Sequence, residues 1–285
     1  MANLKEIRNR ITSIGSTMQI TSAMKMVSAA KLKKAQDAIT EMRPYSDKLT
    51  ELLQSLSASL EGESKSVYSE QREVNKVLLV PITSNRGLCG GFNSSIIKET
   101  VKVAKNYEGK QIDLYAIGKK GADLLSKEFN LLKNGSEVFD NLTFENVATI
   151  AEELMELFVN GTYDKIEIVY NQFKNAATQI PQVEQFLPIE AVENESNENL
   201  DYIFEPSKEE IIEQLIPKSL KTQFYKAIRD SFASEHGARM TAMHKATDNA
   251  KELRNDLLLT YNKARQAAIT GEILEIVGGA EALNN

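Results

Sequence analysis

From Ala238 to Thr270 the chain runs for 33 residues without a glycine or a proline, and Met243, Ala246, Ala250, Leu253 and Leu257 recur there at alternating spacings of three and four. That period draws one apolar stripe along a helix. Ala264, Ala267, Ile273 and Ile276 carry it onward, so the pattern predicts a helix from about Lys218 to Val277, about 90 Å long at about 1.5 Å per residue. The other end repeats the device: Leu4, Ile7, Ile11, Ile14 and Met18 share the alternation, which resumes through Met24, Val27, Ala35, Ala38, Met42, Leu49, Leu52 and Leu56 and ends before Glu73. Gly15 costs this helix about 1 kcal/mol relative to Ala, and Pro44, lacking an N–H, is its one expected kink. Helices this long outrun any globular core, so each stripe has only the other to bury itself against. An antiparallel coiled coil follows, with the alanines of the second helix permitting close approach.

Turn chemistry is confined between these ends. Nine of the 14 Gly lie from Gly62 to Gly161, and five of the six Pro from Pro81 to Pro217. Val77-Leu-Leu-Val80 reads as a strand buried on both faces, followed by a Gly-rich turn and a helix near Ser94 to Tyr107. Strands are predicted at Ile112 to Ile117 and Lys165 to Tyr170, helices at Lys119 to Leu125 and Glu145 to Val159, and an edge strand at Gln182 to Leu187 between two prolines. The alternation is that of a small doubly wound sheet. The fold class is therefore α/β: a long antiparallel coiled coil of N- and C-terminal helices plus a small Rossmann-like α/β domain. Its expected limits are 1–60 and 207–285 for the paired shaft helices and 73–206 for the α/β domain.

No apolar run approaches the roughly 18 to 20 residues of a membrane span, and the basic start (Lys5, Arg8, Arg10) lacks the apolar core of a signal peptide. A single cysteine, Cys89, excludes an internal disulfide, and two histidines, His236 and His244, are too few for a Cys/His metal set. A reducing compartment and a metal-free, cofactor-free protein are the expectation. The net charge of -6 hides a division: residues 1–36 hold seven basic side chains and one acidic, residues 184–213 ten acidic and one basic, residues 218–270 ten basic and five acidic. Each block reads first as a solvated face. The alternative is an elongated molecule whose ends meet different partners.

The segment Ser84-Asn-Arg-Gly-Leu-Cys-Gly-Gly-Phe-Asn93 follows a strand and opens a helix, which is how many phosphate sites are built. Its spacing fits neither GxxxxGK[ST] nor GxGxxG. The preferred reading is a tight turn with positive φ, its helix capped by Asn93 or Ser94. Cys89 has no histidine within the α/β segment to act as its base and reads as a structural thiol. His236 and His244, eight apart, read as helix-surface residues. No catalytic constellation emerges.

The segments Ile20-Thr-Ser-Ala-Met-Lys-Met-Val-Ser-Ala-Ala-Lys-Leu-Lys-Lys-Ala-Gln36, Asn85-Arg-Gly-Leu-Cys-Gly-Gly91, Ala238-Arg-Met-Thr-Ala-Met-His-Lys-Ala-Thr-Asp-Asn249, Tyr261-Asn-Lys-Ala-Arg-Gln266 and Ile269-Thr-Gly-Glu-Ile-Leu-Glu-Ile-Val-Gly-Gly-Ala280 strongly resemble the gamma subunit of F-type ATP synthases. The match runs through the whole chain in order. The resemblance implies a non-catalytic rotor, its coiled coil inside a ring of alternating alpha and beta subunits, its α/β domain against the epsilon subunit and the c-subunit ring. It implies coupling of c-ring rotation to the catalytic beta subunits, and regulation of ATPase activity and proton flow. It further implies contacts with catalytic subunits at Met24, Lys25, Arg239, Arg265, Gln266, Thr270 and Glu272, c-ring contacts at Tyr202 and Glu205, and a neighbouring-subunit contact at Arg86. Met24 is expected opposite Arg265 and Gln266. The absence of the chloroplast cysteine insert and a start directly in shaft sequence imply a bacterial protein at the cytoplasmic face of the inner membrane, without insertion into it.

Two other classes remain open from residues alone. One is a nucleotide-dependent α/β enzyme with a coiled-coil arm, marked by direct nucleotide binding. The other is a nucleic-acid scaffold, suggested by the basic N-terminal block and opposed by a pI near 5.3.

Overall fold

The computed structural model describes residues 4–58, 67–189 and 208–283. Helix α1 (Leu4–Ala58) is followed by β1 (Lys76–Pro81), α2 (Phe92–Lys105), β2 (Gln111–Ala116), α3 (Lys119–Leu125), β3 (Asn130–Asn134), α4 (Phe144–Val159), β4 (Lys165–Phe173), β5 (Gln179–Leu187) and α5 (Lys208–Leu283). Contacts divide the chain into two compact units, Met1–Ser28 with Met240–Asn285, and Ala29–Arg239. The division cuts both long helices, so their stretches 29–58 and 208–239 belong with the sheet rather than with the rest of the shaft.

In the second unit the strands lie in the order β3-β2-β1-β4-β5. β1 pairs parallel with β2 and β4, β2 pairs parallel with β3, and β5 closes the edge antiparallel to β4. β1 is buried on both faces because successive side chains alternate across the pleat. Leu78, Val80 and Ile82 enter a core with Leu154 and Phe158 of α4 and Leu220, Phe224 and Ile228 of α5. Val77 and Leu79 meet Val103 of α2 and Leu125 of α3 on the opposite face. Pro181 sits in edge strand β5, where a missing N–H is tolerated.

The structure departs from the sequence reading at four places. β3 was not anticipated: Asn-Leu-Leu-Lys-Asn is an exposed, largely polar edge strand with no apolar alternation to announce it. α5 begins ten residues before Lys218 and carries Pro217 inside it; Ile216 and Leu220 on either side are anchored in the core, which offsets the lost hydrogen bond. The apolar stripe of α1 faces inward from Leu4 through Ile7, Ile11, Ile14 and Met18 and again at Ala35, Ala38, Met42 and Leu49, but it breaks at Val27, which is exposed while Thr21 and Ser28 beside it are buried. On α5 Leu253 is exposed where the stripe expected it inside.

Candidate functional site

The strand order reverses between β1 and β4, and in open α/β sheets the crevice at the carboxyl ends there is the usual ligand site. The protein's own loop is wired across it. The Ser84 amide donates to Asn93 Oδ1 (3.0 Å), the Ser84 hydroxyl donates to the Arg86 carbonyl (2.7 Å), and Asn93 Nδ2 donates to Cys89 Sγ (3.2 Å). From β4, Asn171 Nδ2 donates to the Phe92 carbonyl (3.1 Å). The amide of Gly121, in the first turn of α3, donates to Thr83 Oγ1 (2.8 Å). Gly118, at φ 109°, lies so close that a Cβ there would stand 2.2 Å from the Thr83 carbonyl oxygen. The positive-φ turn is present at Leu88 and Gly90. The helix cap is not: Gly91 is the N-cap, Asn93 is committed to Ser84 and Cys89, and Ser94 donates back to the Gly91 carbonyl.

Helix α5 crosses behind this loop, buried on all sides from Ala233 to Arg239. Arg239, 7% exposed, pairs with Glu235 and donates from Nη2 to the carbonyls of Arg86 (3.0 Å) and Gly87 (3.4 Å). Burial raises the Glu235 carboxyl above its usual range, against the opposing pull of Arg239, Lys31 and Arg86. His236, expected on the surface, is buried with its ring edge-on to Phe232 and with neither ring nitrogen hydrogen-bonded. Burial, then the Arg239 and Lys31 charges, push its pKa down to about 3. Its neighbours Ser, Glu, Gly and Arg gave a polar string that concealed this burial. Arg86 and Arg239 are thus brought together, through the backbone of one and the side chain of the other.

Within the unit formed by the chain ends, the Thr21 and Thr247 hydroxyls lie 2.8 Å apart and Lys25 Nζ lies 3.4 Å from His244 Nδ1. Numbers rise on one helix as they fall on the other, so the pair is antiparallel. Met24 is half-buried at this level, about 30 Å along the axis from Arg265. Met24 is therefore level with His244 and Thr247, not with Arg265 and Gln266, as the contacts of Thr21 with Thr247 and of Lys25 with His244 mark the register. Arg265, Gln266, Thr270 and Glu272 are all exposed on α5. So are Ile269, Ile273, Leu274, Ile276 and Val277. Tyr202 and Glu205 lie outside the described residues.

A cleft of about 420 Å³ opens beside β3 and α4. Lys133 and Glu153 on its wall answer one another: Lys133 Nζ donates to Glu153 at 2.8 Å and Tyr115 Oη donates to the same carboxylate at 2.9 Å. No group of metal-ligating side chains occurs among the described residues, and none of their helices is long and apolar enough to cross a membrane.

A family model described as ATP synthase matches residues 3–283. The ATP synthase gamma chain of Flavobacterium johnsoniae is 73% identical over 285 residues, 100% of both chains, and that of Christiangramia forsetii is 68% identical over the same extent. Among solved structures, a chain of the central stalk and c-ring of the Tetrahymena thermophila mitochondrial ATP synthase superposes with a TM-score of 0.60 at 27% identity, covering 80% of this chain and 99% of that one. A chain of the Euglena gracilis mitochondrial ATP synthase gives 0.73 at 23% identity, covering 98% of this chain and 94% of that one, a likeness of fold.

Proposed function

This chain belongs to the ATP synthase gamma-chain family, and from that membership we propose that it is the central-stalk rotor of a bacterial ATP synthase, a non-catalytic subunit that couples c-ring rotation to the catalytic beta subunits. The observation that carries the reading is the apolar surface at the end of α5. Ile269, Ile273, Leu274, Ile276 and Val277 stand exposed on one stretch of helix, where a partner's surface would cover them. Alpha and beta subunits are that partner in this reading. Met24, Lys25, Arg265, Gln266, Thr270 and Glu272 contribute polar and flexible contacts to the same ring, with Arg and Gln side chains donating to partner carboxylates and carbonyls. Arg239, buried in its own chain, serves from behind by fixing α5, the helix that carries Arg265, Gln266, Thr270 and Glu272.

The mechanism follows from asymmetry. A shaft that offers different side chains in different directions makes unequal contacts with otherwise equivalent catalytic subunits, and so biases each towards a different conformation. Turning the shaft moves those biases around the ring. The α/β domain meets the epsilon subunit and c ring at the cytoplasmic face of the inner membrane, with Tyr202 and Glu205 as the c-ring contacts and Arg86 reaching a neighbouring subunit.

Single-molecule rotation tests this. A bead is attached at Glu108→Cys, in the exposed turn after α2, because Cys89 is buried and unavailable for labelling. Stepwise ATP-driven rotation is expected in complexes with alpha and beta subunits of the same source. Complexes that hydrolyse ATP while the bead stays still would overturn the rotor reading.

A further inference from the structure

Ala227, Ser231, Ser234 and Ala238 follow one another on α5 at spacings of four, three and four, and all are buried. They form one face of small side chains that brings the helix backbone close to the sheet. Gly237 extends it, since a Cβ there would lie 3.2 Å from the Ala176 Cα in the turn between β4 and β5. The hydroxyls of this face and the guanidinium beside it all donate to backbone carbonyls. Ser231 Oγ donates to Ile82 (3.4 Å), Ser234 Oγ to Asn171 (2.9 Å) and Arg239 Nη2 to Arg86 and Gly87. Three separate pieces of the domain are gripped this way: the end of β1, β4, and the loop between β1 and α2.

Glu235 and Arg239 sit four apart on one helix, so their ion pair by itself holds nothing to the sheet. What bridges is the guanidinium edge turned towards the loop. The carboxylate neutralises a cation that would otherwise be buried unpaired and fixes the planar fork so that Nη2 faces the carbonyls. The Arg86 carbonyl accepts from Ser84 Oγ and from Arg239 Nη2 together, which ties the helix to a loop already held by Asn93 and Asn171.

We propose that Arg239, positioned by Glu235 and preceded by Ser231 and Ser234, is the latch that completes the hold on α5 begun by Leu220, Phe224 and Ile228, so that torque applied to the α/β domain passes into the shaft through the last buried turns of the helix, residues 231–239. This rests on the rotor reading. Because the bonds end on backbone rather than on flexible side chains, the joint is stiff.

The test uses the complete membrane-reconstituted complex carrying the Glu108→Cys bead, and compares the parent with Arg239→Gln, Arg239→Lys and Glu235→Gln. The readouts are protons pumped per ATP hydrolysed and the angular fluctuation of the stalled bead. All three variants are expected to lower the pumping ratio at least three-fold and to widen the fluctuation at least two-fold, with Arg239→Lys showing that charge without the fork is insufficient. Ala238→Cys, which shares a buried cluster with Cys89, supplies a covalent substitute. Oxidation of Arg239→Gln/Ala238→Cys is expected to restore the ratio, and reduction to abolish it again. A rotating Arg239→Gln complex with parental ratio and stiffness overturns the latch alone, as does rotation arrested by the disulfide in the parent background. A parent complex whose bead does not rotate overturns the rotor reading and the latch with it.

Discussion

At Gly118 the backbone permits one residue type. Its φ of 109° disfavours any L side chain, and a Cβ would meet the Thr83 carbonyl oxygen at 2.2 Å, with no flexible end to swing aside. Gly118→Ala is expected to destabilise the fold by about 3 kcal/mol, combining strained backbone with overpacking, read from the urea midpoint of the full chain. His236 makes a different demand, on pH. Its folded pKa of about 3 lies below the unfolded 6.5, so under pH 6.5 the unfolded chain binds a proton that the fold refuses. Stability contributed by the neutral ring is therefore present above 6.5 and lost as pH falls, at up to about 1.4 kcal/mol per pH unit. Glu235 acts with the opposite sign: its raised carboxyl favours the fold below the unfolded pKa and loses that contribution as pH rises. His236→Phe separates the two, because the variant keeps Glu235 and removes two ring nitrogens that lack partners. Thermal melts between pH 7 and 4.5 should show the parent weakening relative to His236→Phe as pH drops; parallel curves would mean that the buried imidazole is hydrated and titrates normally.

Among elements, the long helices were legible because length and the three-four alternation leave few other folds, and β1 was legible as an unbroken apolar run. Register was not. Burial at Thr21 and Ser28, and the meeting of Thr21 with Thr247, depend on small hydroxyls that an apolar count passes over. The same blindness hid the latch: Glu235 and Arg239 have the spacing of a surface ion pair, and only the tertiary fold buries both. Glycines inside α5 separate propensity from packing in the same way. Gly271 has nothing within 4 Å of a prospective Cβ, whereas Gly237 faces the Ala176 backbone at 3.2 Å. Gly271→Ala is expected to stabilise the helix by about 0.5–1 kcal/mol. Gly237→Ala gains the same propensity but pushes against the turn after β4, so its melting temperature should fall below that of Gly271→Ala. Equal gains at the two positions would show that the turn yields freely.

For the whole molecule the contrast is between a sheet buried on both faces and a helix end that buries almost nothing. β1 lies between two hydrophobic clusters, so its amides are expected to exchange only when the second unit opens as a whole. Residues 260–283 of α5 carry exposed Ile269, Ile273, Leu274, Ile276 and Val277 together with Gly271, Gly278 and Gly279, each of which weakens a helix that tertiary packing does not support. In the free full chain their amides should exchange with little protection, while those of β1 and β4 are protected to the limit of global stability. Binding by alpha and beta subunits that covers the apolar side chains would remove the locally opened state, because opening then requires separation of the partner as well. Hydrogen exchange followed by mass spectrometry should therefore show residues 260–283 gaining at least about a hundred-fold protection on assembly, equivalent to about 2.7 kcal/mol, with β1 changing far less. Strong protection of 260–283 in the free chain at low concentration would mean that this chain already covers its own apolar face, and the partner-covered shaft would have to be abandoned.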